Sequence, residues 1–206
     1  MAIRRDSLVH VAAVGSYGSV FGIDERGVCE VGLIDPNADD YSLKVPLSSL
    51  VEIEPIQPGQ IGRLDGQLAL FHLRIRHGVE LQCAFQLFVG RSEEELMELW
   101  FARGIQAPRK LLDLDEGHET ALMEALGELG LKAWEDGPDV TDDQTVSLDT
   151  WSWALEVIGS GRGFSSYGRG FAPEGMRRLC DLLKDWGVPI AWDDSDGEGG
   201  SPVAHE

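Results

Sequence analysis

The chain has 206 residues, with 36 Asp and Glu against 17 Lys and Arg and a formal net charge of -19. That balance argues against a general nucleic-acid binder, which needs a basic footprint, and against docking on anionic membranes. With 43% hydrophobic residues the chain can bury a core, so global disorder is not expected.

Residues 1–58 read as a small domain of short strands. Arg4 and Arg5 precede an apolar stretch, Leu8–Val14, which His10 interrupts and which is short for a signal-peptide core. An exposed start followed by a first strand is expected there. Further strands are predicted at Ser19–Ile23, Val28–Ile34, Tyr41–Val45 and Leu50–Ile56. Turn signals at Gly15-Ser16, Glu25-Arg26-Gly27 and Asp35-Pro36-Asn37 separate them. So many short strands in so few residues suit a small closed barrel. A glycine-flanked second strand, a long third strand, an acidic loop and Val45-Pro46-Leu47-Ser48-Ser49-Leu50 follow one another. In that order of features the segment resembles an SH3-like barrel. Such barrels host many functions, so the resemblance implies a fold and no activity. Pro55 and Pro58-Gly59 mark the boundary.

Residues 59–192 read as an acidic α+β domain. Ala69, Phe71, Leu73 and Ile75 alternate with Leu70, His72, Arg74 and Arg76, and Val79, Leu81, Cys83, Phe85, Leu87 and Val89 alternate with Glu80, Gln82, Ala84 and Gln86. A three-residue loop, Arg76-His77-Gly78, pairs Ile75 with Val79, Leu73 with Leu81 and Phe71 with Cys83, and sets Arg74 opposite Glu80. Ser92-Glu93-Glu94-Glu95 reads as a capping box opening a helix with Leu96, Met97, Trp100 and Phe101 on its stripe, stopped at Gly104. A short strand is expected at Leu111–Leu114, a helix at Glu119–Leu129 and a strand at Leu131–Trp134. Residues 148–158 read as helical, with Trp151, Leu155 and Ile158 at helical spacing. A last helix opens near Pro173, carries Met176, Leu179, Cys180, Leu183 and Trp186, and stops at Gly187 before a strand, Val188–Trp192. Helix, glycine stop, short strand and Ala-Trp recur at 130–136 and 187–194. The composition of 193–206 reads as a disordered acidic tail. The expected fold class is therefore α+β: an N-terminal SH3-like barrel, then a domain built on a β-hairpin with about four helices.

Most enzyme signatures fail on inspection. His118-Glu119 begins like HExxH, but Leu122 stands where the second zinc ligand belongs. Phe164 and Tyr167 occupy the glycine positions of GxSxG around Ser165 and Ser166. Acids at 113, 115, 119 and 124 approach a calcium loop, but His118 replaces its turn glycine. Cys29, Cys83 and Cys180 form no CxxC pair and read as buried, reduced thiols. No catalytic residue, metal ligand or cofactor is assigned on these grounds. Gly161-Arg162-Gly163-Phe164 and Gly168-Arg169-Gly170-Phe171 form a repeated GRGF pair, read as a glycine-rich loop offering Arg162 and Arg169 to an anion or a partner.

The charge is uneven. Residues 1–90 hold 7 basic and 11 acidic side chains, residues 91–206 hold 10 and 25, and residues 111–156 hold 1 and 13. A dense acidic face is steered onto a positive cleft and can stand where phosphates would sit. In this the chain resembles, in type, the bacterial immunity proteins that block toxins. The expectation is a cytoplasmic, antitoxin-like inhibitor of a basic toxin or nuclease, with no direct nucleic-acid or membrane binding. Its expected interface is Asp113, Asp115, Glu116, Glu135, Asp136, Asp139, Asp142 and Asp143, with Trp134 and Trp151 as aromatic anchors. A modular scaffold with a peptide-binding barrel, or an enzyme using the arginine loop for an anionic substrate, are the alternatives.

Overall fold

The computed structural model describes residues 3–38, 42–57, 60, 64, 68–76, 83–91, 96–104, 106–129, 152–169, 175–193 and 201–204. Strands make up 56% and helices 19% of it, so the protein is mostly β.

The first strands fall close to where turn signals and alternation place them: β1 Leu8–Val11, β2 Ser16–Ile23, β3 Val28–Leu33, β4 Ser42–Pro46 and β5 Leu50–Glu52. They form an antiparallel sheet in the order β4-β3-β2-β1-β5. Val9, Val11, Val20, Cys29, Val31 and Leu50 fill its own small core. The expected SH3-like barrel is not formed, because the sheet does not close. The reason lies at β5, which is only three residues long. Directly after it the chain leaves as β6, Glu54–Pro55, and pairs in parallel with β12, Arg162–Arg169, of a second sheet.

That second sheet has seven strands in the order β10-β9-β8-β7-β11-β12-β6. Its members are β7 Leu68–Arg76, β8 Cys83–Arg91, β9 Met97–Arg103, β10 Arg109–Leu114 and β11 Ser152–Gly159, besides β6 and β12. Two helices are found among the described residues, α1 Glu116–Gly127 and α2 Met176–Asp185, not about four. The segments expected as helices at 92–104 and 148–158 hold β9 and all of β11 but its last residue. In each, an apolar series at period two (Met97, Leu99, Phe101; Trp153, Leu155, Val157) competes with the helical spacing and faces the main core. Burial on a sheet decides between the two periods, and propensity alone does not.

The β7–β8 hairpin forms, but in another register. Ile75 pairs with Phe85, Leu73 with Leu87 and Phe71 with Val89, and Arg74 stands opposite Gln86 rather than Glu80. The slip from the expected pairing is even, so every apolar side chain keeps its face. Alternation has period two and cannot distinguish even slips. Residues 77–82, which held the expected loop, lie outside the described residues, as do Ser92–Glu95 and Leu131–Trp134. The segment read as a glycine-rich loop is a tight hairpin. Ser160 and Gly161 take φ of 50° and 74°, the two positive values a two-residue type I′ turn needs, and β11 and β12 pair from Gly159↔Arg162 to Ser152↔Arg169. Ser201–Ala204, in the segment read as a disordered tail, forms β14 against β13, Ile190–Asp193.

One face of the large sheet packs α1 and α2. Phe71, Leu73, Phe85, Leu87, Leu99, Trp153 and Leu155 meet Leu122, Leu126, Leu179 and Leu183 in the main core. The other face receives the small sheet at one end, where Leu8, Ile34 and Ile53 pack with Leu70, Phe88 and Ile158. Gly163 lies at this seam. A Cβ there would come 2.9 Å from Ile53 Cγ2 and 3.1 Å from Leu8 Cδ1, so glycine lets the two sheets approach. Among the described residues no helix is long and apolar enough to cross a membrane.

Candidate functional site

Alternation along β7, β8, β11 and β12 sends a second set of side chains to the face away from the helices. Cross-strand rows there read His72–Glu156, Arg74–Ala154–Tyr167 and Arg76–Ser152. The first row lies next to the small sheet and is shut in. His72 is 4% exposed. Its Nδ1 lies 2.9 Å from Glu156 Oε2 and its Nε2 3.3 Å from Gln86 Oε1. Its ring stacks on Phe88 at 4.5 Å between centroids. These contacts satisfy polar groups that would otherwise be costly at that depth.

Beyond that row the face opens. Ser152 and Ala154 on β11 are small, while their neighbours on both sides are long. The result is a trough floored by Ser152 and Ala154, walled by Arg74 and Arg76 on β7 and by Tyr167 on β12, with a volume of about 210 Å³. Two strand spacings set the walls about 10 Å apart. Tyr167 leaves 65% of its surface in water. The Arg74 side chain forms no hydrogen bond or ion pair with any described residue. Guanidinium groups with a nearby hydroxyl and an aromatic wall are suited to holding an oxyanion.

The arginines singled out in the sequence are not brought together. Arg162 and Arg169 stand at opposite ends of β12, about 23 Å apart along the strand. Arg162 Nε lies 3.8 Å from Glu54 Oε2. Arg169 pairs in register with Ser152.

Of the acids singled out, three are described, and two have work within the fold. Asp113 Oδ1 lies 2.6 Å from Lys110 Nζ, which also meets Glu98 at 2.7 Å. Hydrogen bonds to Asp113 and then Glu98 raise the Lys110 pKa. Asp115 caps α1, accepting from the His118 backbone N–H at 3.0 Å and lying 2.6 Å from His118 Nδ1. These bonds, the backbone one first, lower the Asp115 pKa. Glu116 is exposed in the first turn. Trp134, Glu135, Asp136, Asp139, Asp142, Asp143 and Trp151 lie outside the described residues.

Three acids outside the expected interface also lie on or beside α1. Glu124 and Glu128 continue the solvent side of α1 from Glu116 at helical spacing, Glu128 pairing with Arg178. Glu119 turns inward instead. It accepts from the Leu68 backbone N–H at 3.2 Å and pairs with Arg91 at 3.2 Å, tying α1 to the sheet. The spacing of Glu116, Glu124 and Glu128, eight and then four residues apart, was a readable signal for the outward stripe. No sequence signal marked Arg74 and Tyr167 as neighbours across β11. No family model, curated protein or solved structure matches the chain.

Proposed function

We propose that the protein is a binding protein of the inhibitor or immunity type, which docks a basic partner through the acidic surface around α1. The observation that carries the reading is the solvent side of α1. It presents Glu116 and Glu124, followed at the helix end by Glu128 in its pair with Arg178, the helix contains no Lys or Arg, and the chain continues from it into the acidic run up to residue 149. A surface of one sign accelerates encounter with an oppositely charged cleft and favours that partner over others. Asp113 and Asp115 take a smaller part, since their charges already serve Lys110 and the α1 cap. The proposed partner is a basic toxin or nuclease.

The test is isolation of the complex from the native host followed by binding kinetics. A basic partner is expected, with an association rate that falls as salt rises. Replacing Asp136, Asp139, Asp142 and Asp143 together by Lys is expected to weaken the complex by more than about tenfold. A host extract that returns no basic partner, or reversals that leave affinity unchanged, would sink the reading.

A further inference from the structure

The trough on the open end of the large sheet lies on the opposite side of that sheet from α1. We propose that it is a binding site for a small ligand carrying a carboxylate or phosphate on a planar ring, with Arg74 holding the anion and Tyr167 packing against the ring.

Four features lead to that chemistry. First, Arg74 and Arg76 are two apart on β7 and line the same cavity, so both guanidinium groups belong to one wall. Guanidinium is the side chain best matched to carboxylate and phosphate oxygens. Second, acids outnumber bases about two to one in this chain, yet Arg74 has no carboxylate partner among the described residues. The nearest acid in the adjoining row, Glu156, is held by His72. Third, Tyr167 exposes most of its ring on the facing wall, an aromatic face that gains from covering by a flat apolar group. Fourth, the β11 side chains on this face of the sheet are the small Ser152 and Ala154, and Trp153, which also borders the trough, sends its buried ring to the helix-covered core. The Ser152 hydroxyl can donate to the anion, and Ala154 leaves room for the ring. At about 210 Å³ the trough is smaller than the 300 Å³ at which sites for drug-sized ligands begin. A single ring with its anion is the matching size.

The full chain should be titrated calorimetrically with phenyl phosphate, benzoate, inorganic phosphate and phenol. Phenyl phosphate or benzoate is expected to bind saturably, with Kd on the order of 1 mM for so few atoms. Inorganic phosphate should bind about tenfold more weakly, because it cannot cover Tyr167. Phenol should not bind measurably. Whichever of the two ring-bearing anions binds tighter identifies the class, and either order supports the site. Arg74→Gln is expected to weaken the ring-bearing anion by about tenfold or more. Tyr167→Ala is expected to remove the advantage over inorganic phosphate while leaving inorganic phosphate itself unchanged. Melting curves of both variants within about 2 °C of the parent would show that the fold is intact. Absence of saturable binding by either ring-bearing anion, or equal binding by the parent and Arg74→Gln, would overturn the proposal.

Discussion

The face of the large sheet turned away from the helices has two ends, built from the same strands by the same alternation. At one end Leu70, Phe88, Ile158 and the His72–Glu156 pair lie beneath or beside the small sheet. At the other, Arg74, Arg76, Ser152, Ala154 and Tyr167 line a trough, with Arg74 and Tyr167 open to a ligand. Sequence pattern alone does not separate them, since His72 and Arg74 are neighbours on one polar series. What separates them is the cover supplied by Leu8, Ile34 and Ile53, residues far away in the chain. Under cover a polar side chain must be satisfied from within, and it becomes part of the structure. In the open it keeps its capacity for a ligand.

This contrast orders the effects of substitution. The largest is expected at the covered end, where Phe88→Ala removes a ring from the seam and costs about 4 kcal/mol, measured by denaturant unfolding. A loss under about 1 kcal/mol would mean that the two sheets do not share a core. Next comes His72→Ala, which strands the Glu156 carboxylate and is expected to cost about 3 kcal/mol. The double variant with Glu156→Ala should cost less than the two single losses added together, because no orphaned charge remains.

The helix-covered face gives a third reference point through its thiol. Burial, with Asp181 adding to it, pushes the Cys180 pKa up to about 12. The folded protein therefore keeps this proton where the unfolded chain, with a thiol near pH 8.5, has lost it. Its contribution is intact below about pH 8.5 and is lost as pH rises towards 12, at about 1.4 kcal/mol per pH unit. Cys180→Ala should flatten that alkaline slope, and in the native parent at neutral pH a thiol reagent should leave Cys180 unlabelled. The smallest effects belong to the open end. Arg74→Ala and Tyr167→Ala should each change stability by no more than about 0.5 kcal/mol. A much larger loss at either position would make the open end structural as well and erase the contrast.

Much of the local structure was legible in the sequence, for identifiable reasons. Turn residues and β-branched runs marked the strands before residue 56, and Gly187, with φ of 86°, marked the end of α2. Three features were not legible. Met97–Phe101 and Trp153–Val157 carry apolar residues compatible with both periods, and only their place in the core shows them to be strands. The β7–β8 register slipped by an even number, which leaves the pattern unchanged. The barrel does not close, since Glu54 and Pro55 leave the small sheet and pair with β12, more than a hundred residues away. For the sites, the acidity around α1 was readable as composition, whereas the trough required knowing that β7 and β12 flank β11.

The division of the sheet face is tested most directly by mapping backbone amide shifts of the intact protein as phenyl phosphate is added. Saturating shifts are expected at residues 74–76, 152–154 and 165–169, with 70–72, 88 and 156–158 unmoved. Shifts centred on the covered residues, or scattered over α1 and over arginines outside the trough, would contradict it.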